Sequence, residues 1–171
     1  MLQLALRFPE PADDQALLEA VRGSVPEVGR WMTWCHPGYA LADALEWITS
    51  RAPARETGSA YEFLITGADG LVLGCCGVNC VNPENRFANL GYWVRTSHTG
   101  RGVAVAAVGL LADWVFSHTD LVRLEIVVAV GNRASQRVAE KSGAVLEGTL
   151  RSRLRIHGSC HDALMYSLIR P

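Results

Sequence analysis

The sequence predicts an α+β fold, with about seven strands in a mixed, mostly antiparallel sheet and about four flanking helices. Two observations lead to this prediction. Short segments that alternate or are rich in β-branched residues are separated by turn residues, and segments with apolar residues at helical spacing lie between them. The 171 residues contain no linker, repeat or low-complexity segment, so we expect a single domain over residues 1–171.

The first third of the chain is predicted to hold one strand and two helices. Leu2–Phe8 alternates as an opening strand would. A helix is predicted from Pro11, because the fixed φ of proline suits a first helical turn. Leu41–Arg51 has apolar residues at helical spacing, and Pro53 is expected to end that helix. An aromatic loop, residues 25–39, lies between the two helices.

The remaining elements begin with a three-stranded antiparallel meander, because turn residues at Asp69-Gly70 and Asn82-Pro83 separate its segments. The chain is predicted to end in a hairpin that turns at His157-Gly158. In order, the expected elements are strands at 61–67, 70–82 and 87–94, a helix over about 102–117, a strand at 123–130, a helix over about 134–142, and strands at 144–156 and 160–169.

Composition excludes several classes of function. The formal net charge of -1 offers no basic face for nucleic acid. Five cysteines, an odd number, favour reduced thiols and a cytoplasmic protein over a disulfide framework. The sequence has no signal-peptide pattern and no apolar run long enough to span a membrane. It also lacks zinc-ligand spacing, a P-loop and a Gly-x-Ser-x-Gly elbow, so no metal is expected.

The stretch "WVRTSHTGRGVAVAAV" joins a predicted strand to a long apolar helix through two glycines. Glycines at a helix mouth let several backbone N–H groups point the same way, and the helix dipole adds partial positive charge there. The junction therefore predicts a phosphate site, with the amides of Gly100–Ala104 as donors and Arg101 at the rim. The alternative is an ordinary glycine-rich loop that only starts a buried helix.

Two stretches together resemble the GNAT superfamily of acyl-CoA N-acyltransferases. "GYWVRTSHTGRGVAVAAV" is similar to the superfamily signature Gln/Arg-x-x-Gly-x-Gly/Ala, with Thr99 in place of the usual Gln or Arg and with Gly102 and Ala104 at matching places. "RLEIVVAVGNRASQRVAEKSGAVLEG" is similar to its later motif. That motif and "GRWMTW" resemble the RimJ/RimL branch, which acetylates protein amino termini.

The resemblance implies acetyl-CoA as cosubstrate and a site where two neighbouring strands, the fourth and fifth, splay apart. It implies a bulge in Leu90–Val94 and binding of the pantetheine arm there. It also implies that Asn132 bonds this arm and that Ser135, the implied catalytic residue, hydrogen-bonds the departing thiolate. The implied cofactor-binding residues are Trp93, Val94, Arg95, Thr99, Gly100, Arg101, Gly102, Val103, Ala104, Asn132 and Ser135.

For several of these residues a purely structural role remains an open alternative. Asn132 is also suited to cap a helix, and Ser135 to occupy its first turn. Trp31 and Trp34 in the aromatic loop are candidate substrate-binding residues, but they suit simple packing equally well.

In the ribosomal-protein-serine type of enzyme, a glutamate on the strand after the Ser-bearing helix is assigned as a base that acts through water. The corresponding segment here, "GTLRSRLRI", has no carboxylate. The nearest carboxylates, Glu147 and Asp162, do not align with the expected position. A missing base would favour an acceptor that is already neutral. An α-amine has a pKa of about 7.7–8.0 and a lysine about 10.4, which is a difference of about 3.5 kcal/mol.

The expected function is thus acetyl-CoA-dependent N-acetylation of a primary amine, by direct attack in a ternary complex, with a protein or peptide N-terminal α-amine as the favoured acceptor. The alternatives are acetylation of a small-molecule amine and a non-catalytic acyl-CoA-binding module. The resemblance also leaves a homodimer open, since members of the superfamily are often dimers.

Overall fold

The computed structural model describes residues 3–171, whose seven strands form one sheet in the order β1-β2-β3-β4-β5-β7-β6. Every neighbouring pair is antiparallel except β4 and β5, which confirms the mixed, mostly antiparallel sheet. The strands are β1 Leu4–Arg7, β2 Tyr61–Gly67, β3 Val72–Asn82, β4 Phe87–Val94, β5 Arg123–Ala129, β6 Val145–Ile156 and β7 Ser159–Ile169. Within the expected first strand, Leu2 lies outside the described residues.

The described chain has five α-helices rather than the four expected: α1 Asp14–Arg22, α2 Val25–Val28, α3 Leu41–Glu56, α4 Val103–His118 and α5 Arg133–Lys141. The additional helix, α2, is a single turn inside the aromatic loop. Pro26 fits its second position, where no N–H is needed, and Gly29 N–H closes the turn on the carbonyl of Val25 at 2.9 Å.

Helix α3 does not end before Pro53, as the sequence predicted, but continues to Glu56. The ring removes one backbone donor from the helix without stopping it, because Pro53 lies in the last turn. Its carbonyl accepts the N–H of Thr57 at 3.1 Å, so the last turn closes behind the proline.

The two faces of the sheet are covered by different helices. One core cluster packs α4 against residues such as Phe63, Val78 and Leu90. The other packs α1 and α3 against Leu64, Cys75 and Trp93 on the opposite face. Residues of β4 therefore alternate between the two faces, and the site uses both.

Strands β4 and β5 pair only from Phe87–Asn89 to Arg123–Glu125 and then diverge, which confirms the splay. The bulge expected in Leu90–Val94 is wrong, because these residues keep a continuous register with β3. The irregularity lies instead on β3 between Asn79 and Asn82, where Cys80 has a φ of 50°. Divergence from β5, rather than a bulge, frees the edge of β4.

The five cysteines are all free. Cys75 and Cys76 are buried and project to opposite faces of the sheet, whereas Cys80 and Cys160 are exposed. Within the described residues, no helix is long and apolar enough to cross a membrane.

Candidate active site

A cavity of about 540 Å³ opens where β4 and β5 diverge, and we call it the splay cavity. The mouth of α4, one side of α5 along its whole length, the end of β4 and part of the aromatic loop form its walls. Its lining includes most of the residues expected to bind a cofactor: Trp93, Val94, Thr99, Gly100, Gly102, Val103, Ala104, Asn132 and Ser135.

The mouth of α4 has the geometry that the two glycines predicted. Gly100 and Gly102 have φ angles of 73° and 83°, in the left-handed region that favours glycine. The first amide that bonds inside the helix belongs to Ala106, which donates to the carbonyl of Gly102 at 3.0 Å. The amides of residues 103–105 precede it at the helix terminus, where donors lack intrahelical partners. They lie beside the splay cavity and supply the anion-binding end of the helix dipole.

Thr99 and Arg101 contribute less than the glycines. The hydroxyl of Thr99 donates to the carbonyl of Thr96 at 2.9 Å, and its N–H donates to the same oxygen at 3.2 Å. Thr99 therefore stabilises the turn before α4. Arg101 is exposed and does not line the cavity.

Only some of the backbone amides at the end of β4 face the cavity. Arg95, an implied cofactor-binding residue, directly follows β4, and its N–H donates to the carbonyl of Leu73 at 2.7 Å, so this amide is not free to bind the pantetheine arm. In an antiparallel pair, hydrogen-bonding residues alternate along the strand. Trp93 therefore directs its N–H toward β3, whereas Tyr92 and Val94 direct theirs toward the splay. Trp93 contributes its side chain to the cavity instead.

Asn132 and Ser135 stand at the start of α5. The Oδ1 atom of Asn132 accepts the N–H of Ser135 at 3.1 Å, so Asn132 is the helix N-cap. Its Nδ2 group has no acceptor among the described residues, and the side chain lines the splay cavity. The capping role and the availability of a donor are therefore compatible.

Tyr92 on β4 forms a hydroxyl pair with Ser135 that the sequence did not predict. The Tyr92 hydroxyl lies 2.8 Å from Ser135 Oγ and 3.1 Å from the Ser135 carbonyl. Burial raises the pKa of Tyr92 to about 12, so the phenol stays protonated near neutral pH. When Tyr92 donates to Oγ, the Ser135 proton is free to point into the cavity.

A second cavity, of about 570 Å³, lies on the other face of the sheet beneath α1 and α3, and we call it the α1–α3 cleft. Its lining includes Trp34, whose ring packs against Trp93 with centroids 5.7 Å apart. Trp31, expected to share a substrate role with Trp34, lines the splay cavity instead. The two cavities share three lining residues, Tyr92 and Trp93 of β4 and Met32 of the aromatic loop.

Neither carboxylate near the expected base position is suited to that role. Glu147 binds Arg123 and accepts the hydroxyl of Ser167 at 2.7 Å, and these bonds lower its pKa to about 2. Asp162 Oδ1 accepts the backbone N–H of Ser152 at 2.8 Å. Neither residue lines either cavity.

The α1–α3 cleft contains a different carboxylate, Glu62 on β2. In the register of the sheet, Glu62 lies opposite Gly77 of β3, and Gly77 lies opposite Gly91 of β4. A Cβ atom on Gly77 would collide with Glu62 Oε2, so the carboxylate lies directly over that glycine. Burial raises the pKa of Glu62, although a hydrogen bond from Asn79 and the charge of Arg51 act in the opposite direction.

Positive charge also lines the splay cavity from α5. Arg137 and Lys141 are four residues apart, one helical turn, and both line the cavity. Together with the start of α4 they make this side of β4 favourable for an anionic ligand. Sequence reasoning did not single them out, because basic residues on an exposed helix face are common.

Residues 3–145 match the family model described as "Acetyltransferase (GNAT) domain". The chain belongs to the GNAT acetyltransferase family. The match covers all of the elements that form the splay cavity, and the seven-stranded sheet with its parallel β4–β5 pair agrees with the family's fold.

Individual relatives agree with this assignment. The acetyltransferase is 31% identical to the uncharacterized N-acetyltransferase p20 of Bacillus licheniformis over 169 residues, which are 98% of this chain and 93% of the relative. It is 29% identical to the ribosomal-protein-serine acetyltransferase of Escherichia coli (strain K12), over 74% of this chain and 70% of the relative. The structure of RimL, a ribosomal L7/L12 α-N-protein acetyltransferase in complex with coenzyme A, superposes with a TM-score of 0.89 at 25% identity. That match covers 97% of this chain and 93% of the other.

Proposed function

We propose that this GNAT enzyme transfers an acetyl group from acetyl-CoA to the terminal α-amine of a protein or peptide in the cytoplasm. One observation carries the proposal. Two cavities on opposite faces of the sheet meet at β4, where they share Met32, Tyr92 and Trp93. Such an arrangement lets donor and acceptor approach one another from opposite sides, so that the transfer occurs directly within a ternary complex.

Acetyl-CoA occupies the splay cavity in this proposal. Its phosphates bind the free amides of residues 103–105 and the positive charges of Arg137 and Lys141. The glycine conformations at the mouth of α4 support this assignment, because no side chain intrudes there. The free edge of β4 holds the pantetheine arm as an added strand would be held, with the N–H groups of Tyr92 and Val94 as donors. The Nδ2 group of Asn132 is a further donor to this arm.

Acetyl-CoA supplies the thioester, and the chain supplies charge stabilisation and a proton. An N–H group on the free edge of β4 faces the carbonyl oxygen of the thioester, where negative charge develops during attack. Ser135 donates its hydroxyl proton toward the departing sulfur, and Tyr92 donates in turn to Ser135. The protonated state of Tyr92 near neutral pH supports this direction of transfer.

The acceptor enters the α1–α3 cleft. Three carboxylates line this cleft, those of Asp43, Glu46 and Glu62, against one guanidinium, that of Arg51. This balance favours a cationic amine. The relatives named for ribosomal-protein and α-N-protein acetylation support an α-amine as the reacting group. The pKa of an α-amine, about 7.7–8.0, also makes it easier to deprotonate than lysine at about 10.4.

An acceptor panel tests the proposal. Thiol release from acetyl-CoA is measured with a lysine-free peptide that has a free amino terminus, with the same peptide acetylated at its terminus and carrying one lysine, and with small amines such as a polyamine. We expect kcat/KM for the free-terminus peptide to exceed that for the lysine peptide by more than about 100-fold. Faster turnover of a small amine would contradict the α-amine assignment. Tight binding of acetyl-CoA without turnover of any acceptor would favour a non-catalytic module.

A further inference from the structure

We propose that Glu62 of β2 is the catalytic base of this enzyme, taking a proton from the acceptor ammonium so that the neutral amine attacks. The inference rests on the proposed amine acetylation, and it assigns the base to a strand that contains neither of the sequence motifs. It also replaces the glutamate that "GTLRSRLRI" lacks.

The first support is the row formed by Glu62, Gly77 and Gly91 across three strands. All three residues face the α1–α3 cleft, and the two glycines leave the sheet surface bare between the carboxylate and β4. A Cβ atom on Gly91 would meet nothing within 4 Å, so the space above this residue is open. Because the carboxylate lies over β3, it is about one strand spacing, roughly 4.8 Å, from β4. An amine above Gly91 can therefore contact Glu62 and the edge of the splay together.

The second support is the way in which the carboxylate is held. Asn89 Nδ2 donates to Asn79 Oδ1 at 3.0 Å, and Asn79 Nδ2 donates to Glu62 Oε1 at 3.3 Å. This chain of amides fixes the orientation of Asn79, which can then only donate to Glu62. One carboxylate oxygen is thereby occupied, while Oε2 remains over Gly77 to accept a proton.

The other carboxylates of the cleft are less suited to this role. Asp43 is exposed and its Oδ2 accepts the N–H of Ala40 at 2.7 Å, as a cap of α3. Glu46 is exposed on the same helix, one turn further along. Of the three, Glu62 alone lies on the sheet, in line with β4.

Burial raises the pKa of Glu62, which brings it closer to that of the ammonium from which it takes the proton. The pKa of an α-ammonium is lower than that of a lysine, so Glu62 deprotonates an α-ammonium more readily. The titratable and charged groups that face Glu62 within the cleft are Asp43, Glu46 and Arg51 of α3, His36 and Tyr39 of the preceding loop, and Cys75 of β3. Cys76 and Tyr92 also border the cleft, but their side chains pack on the other face of the sheet.

The proton balance of the proposed step is complete. The ammonium nitrogen loses one proton to Glu62, which passes it to solvent after the reaction. A C–N bond then forms to the acetyl carbon and the C–S bond breaks. The nitrogen loses its second surplus proton to water, and the sulfur receives one from Ser135. Ser135 is reprotonated by Tyr92, which takes one proton back from solvent. The net products are the amide, the free thiol and one proton.

The test compares Glu62→Gln with wild type by the pH dependence of kcat/KM between pH 6 and 9, using whichever amine of the acceptor panel reacts best. At pH 7 we expect the variant to be slower by about 100-fold or more. The ratio of wild-type to variant kcat/KM should fall by up to about tenfold per pH unit as pH rises toward the pKa of the amine used, about 8 for an α-amine and about 10 for a lysine-like amine, because a neutral acceptor needs no base. Acetyl-CoA affinity and melting temperature should match those of wild type. Glu84→Gln, which changes an exposed turn residue, is the matched control.

A second variant, Glu62→Asp, keeps a carboxylate but withdraws it by one methylene. We expect it to be slower than wild type and to retain the wild-type shape of the pH profile. Equal kcat/KM for Glu62→Gln and wild type at every pH would overturn the proposal, and so would a large defect that does not change with pH. If the wild type preferred a small amine, the proposed α-amine function would be contradicted. The role of Glu62 would still be tested, because the comparison of Glu62→Gln with wild type is then made with that amine.

Discussion

The two cavities on either side of β4 are built by different means. Many of the polar groups proposed to hold acetyl-CoA in the splay cavity are backbone groups, at the start of α4 and along the free edge of β4. The α1–α3 cleft consists of side chains from α1, the aromatic loop, α3 and three strands. A backbone site tolerates many sequences as long as its dihedral angles are kept, whereas a side-chain site depends on each residue. Under the proposed function, the binding of acetyl-CoA therefore depends on local backbone conformation, and the binding of the acceptor depends on the register of strands that are distant in the chain.

The largest of these effects is expected where the two cavities meet, at the Ser135–Tyr92 pair. Ser135→Ala should lower kcat by about 100-fold, because the departing thiolate loses its proton donor, while acetyl-CoA affinity stays unchanged. Tyr92→Phe should have a similar effect, and the double variant should be little worse than either, because the two hydroxyls act as a unit. Ser142→Ala, at the far end of α5, is the control. Steady-state kinetics measures kcat, and calorimetry measures the affinity for acetyl-CoA. Fully additive losses of kcat in the double variant would contradict the proposal that the two hydroxyls act as a unit.

A smaller effect is expected from backbone conformation on the splay side. Gly102→Val forces a branched side chain into a residue with a φ of 83°. The left-handed region disfavours side chains by about 1–2 kcal/mol, so acetyl-CoA affinity should fall by about 5–30-fold. The acceptor KM should change little at saturating acetyl-CoA. If the variant bound acetyl-CoA as wild type does, the backbone origin of this site would be refuted.

The splay cavity was predictable from the sequence because its parts are local. Gly100 and Gly102 stand beside the helix they open, and Asn132 lies three residues from Ser135, so spacing alone indicates both features. The errors on this side concern details that spacing does not specify. The amide of Arg95 bonds Leu73, and the bulge lies on β3 rather than on β4.

The α1–α3 cleft was largely unpredictable because its parts are distant in the chain. Glu62 meets Gly91 only through the register of three strands. The same holds at the junction with the splay cavity, where Tyr92 meets Ser135 across 43 residues. One signal was present in the sequence. Gly91 stands alone within the predicted strand 87–94, and an isolated glycine in a strand often marks the close approach of another group. The length of α3 was misjudged for a local reason, since a proline in a last turn removes only one donor.

A third prediction concerns the wall of the cleft. Asp13 binds Arg7 with Oδ2 at 2.7 Å from Nη1 and accepts the N–H of Glu10, which fastens the start of α1 to β1. Asp13→Asn should reduce the free energy of unfolding by about 1–2 kcal/mol, a value lowered for the partial exposure of Arg7. The ion pair lowers the pKa of Asp13, so its contribution is present above the unfolded pKa of about 3.9 and is lost as pH falls through the folded value.

Urea unfolding at pH 7 and pH 3 measures this contribution, with Asp120→Asn at an exposed loop position as the control. The difference between Asp13→Asn and wild type should shrink at pH 3. Because Leu17 and Val21 of α1 line the cleft, the acceptor KM should rise in this variant while acetyl-CoA affinity stays the same. If the affinities for acetyl-CoA and for the acceptor fell equally, the two cavities would not be independent.

The smallest effect is expected from the other glycine of α4, and it sharpens the contrast between backbone and side-chain sites. Gly109 is exposed in the middle of the helix, lacks a left-handed φ and has nothing within 4 Å of a Cβ position. Gly109→Ala should therefore stabilise the enzyme by about 0.5–1 kcal/mol and raise Tm by about 1 to 4 °C, since alanine loses less conformational freedom in a helix. Acetyl-CoA affinity should not change. If Gly109→Ala weakened acetyl-CoA binding as Gly102→Val does, α4 would act through its flexibility rather than through the conformation of its first turn.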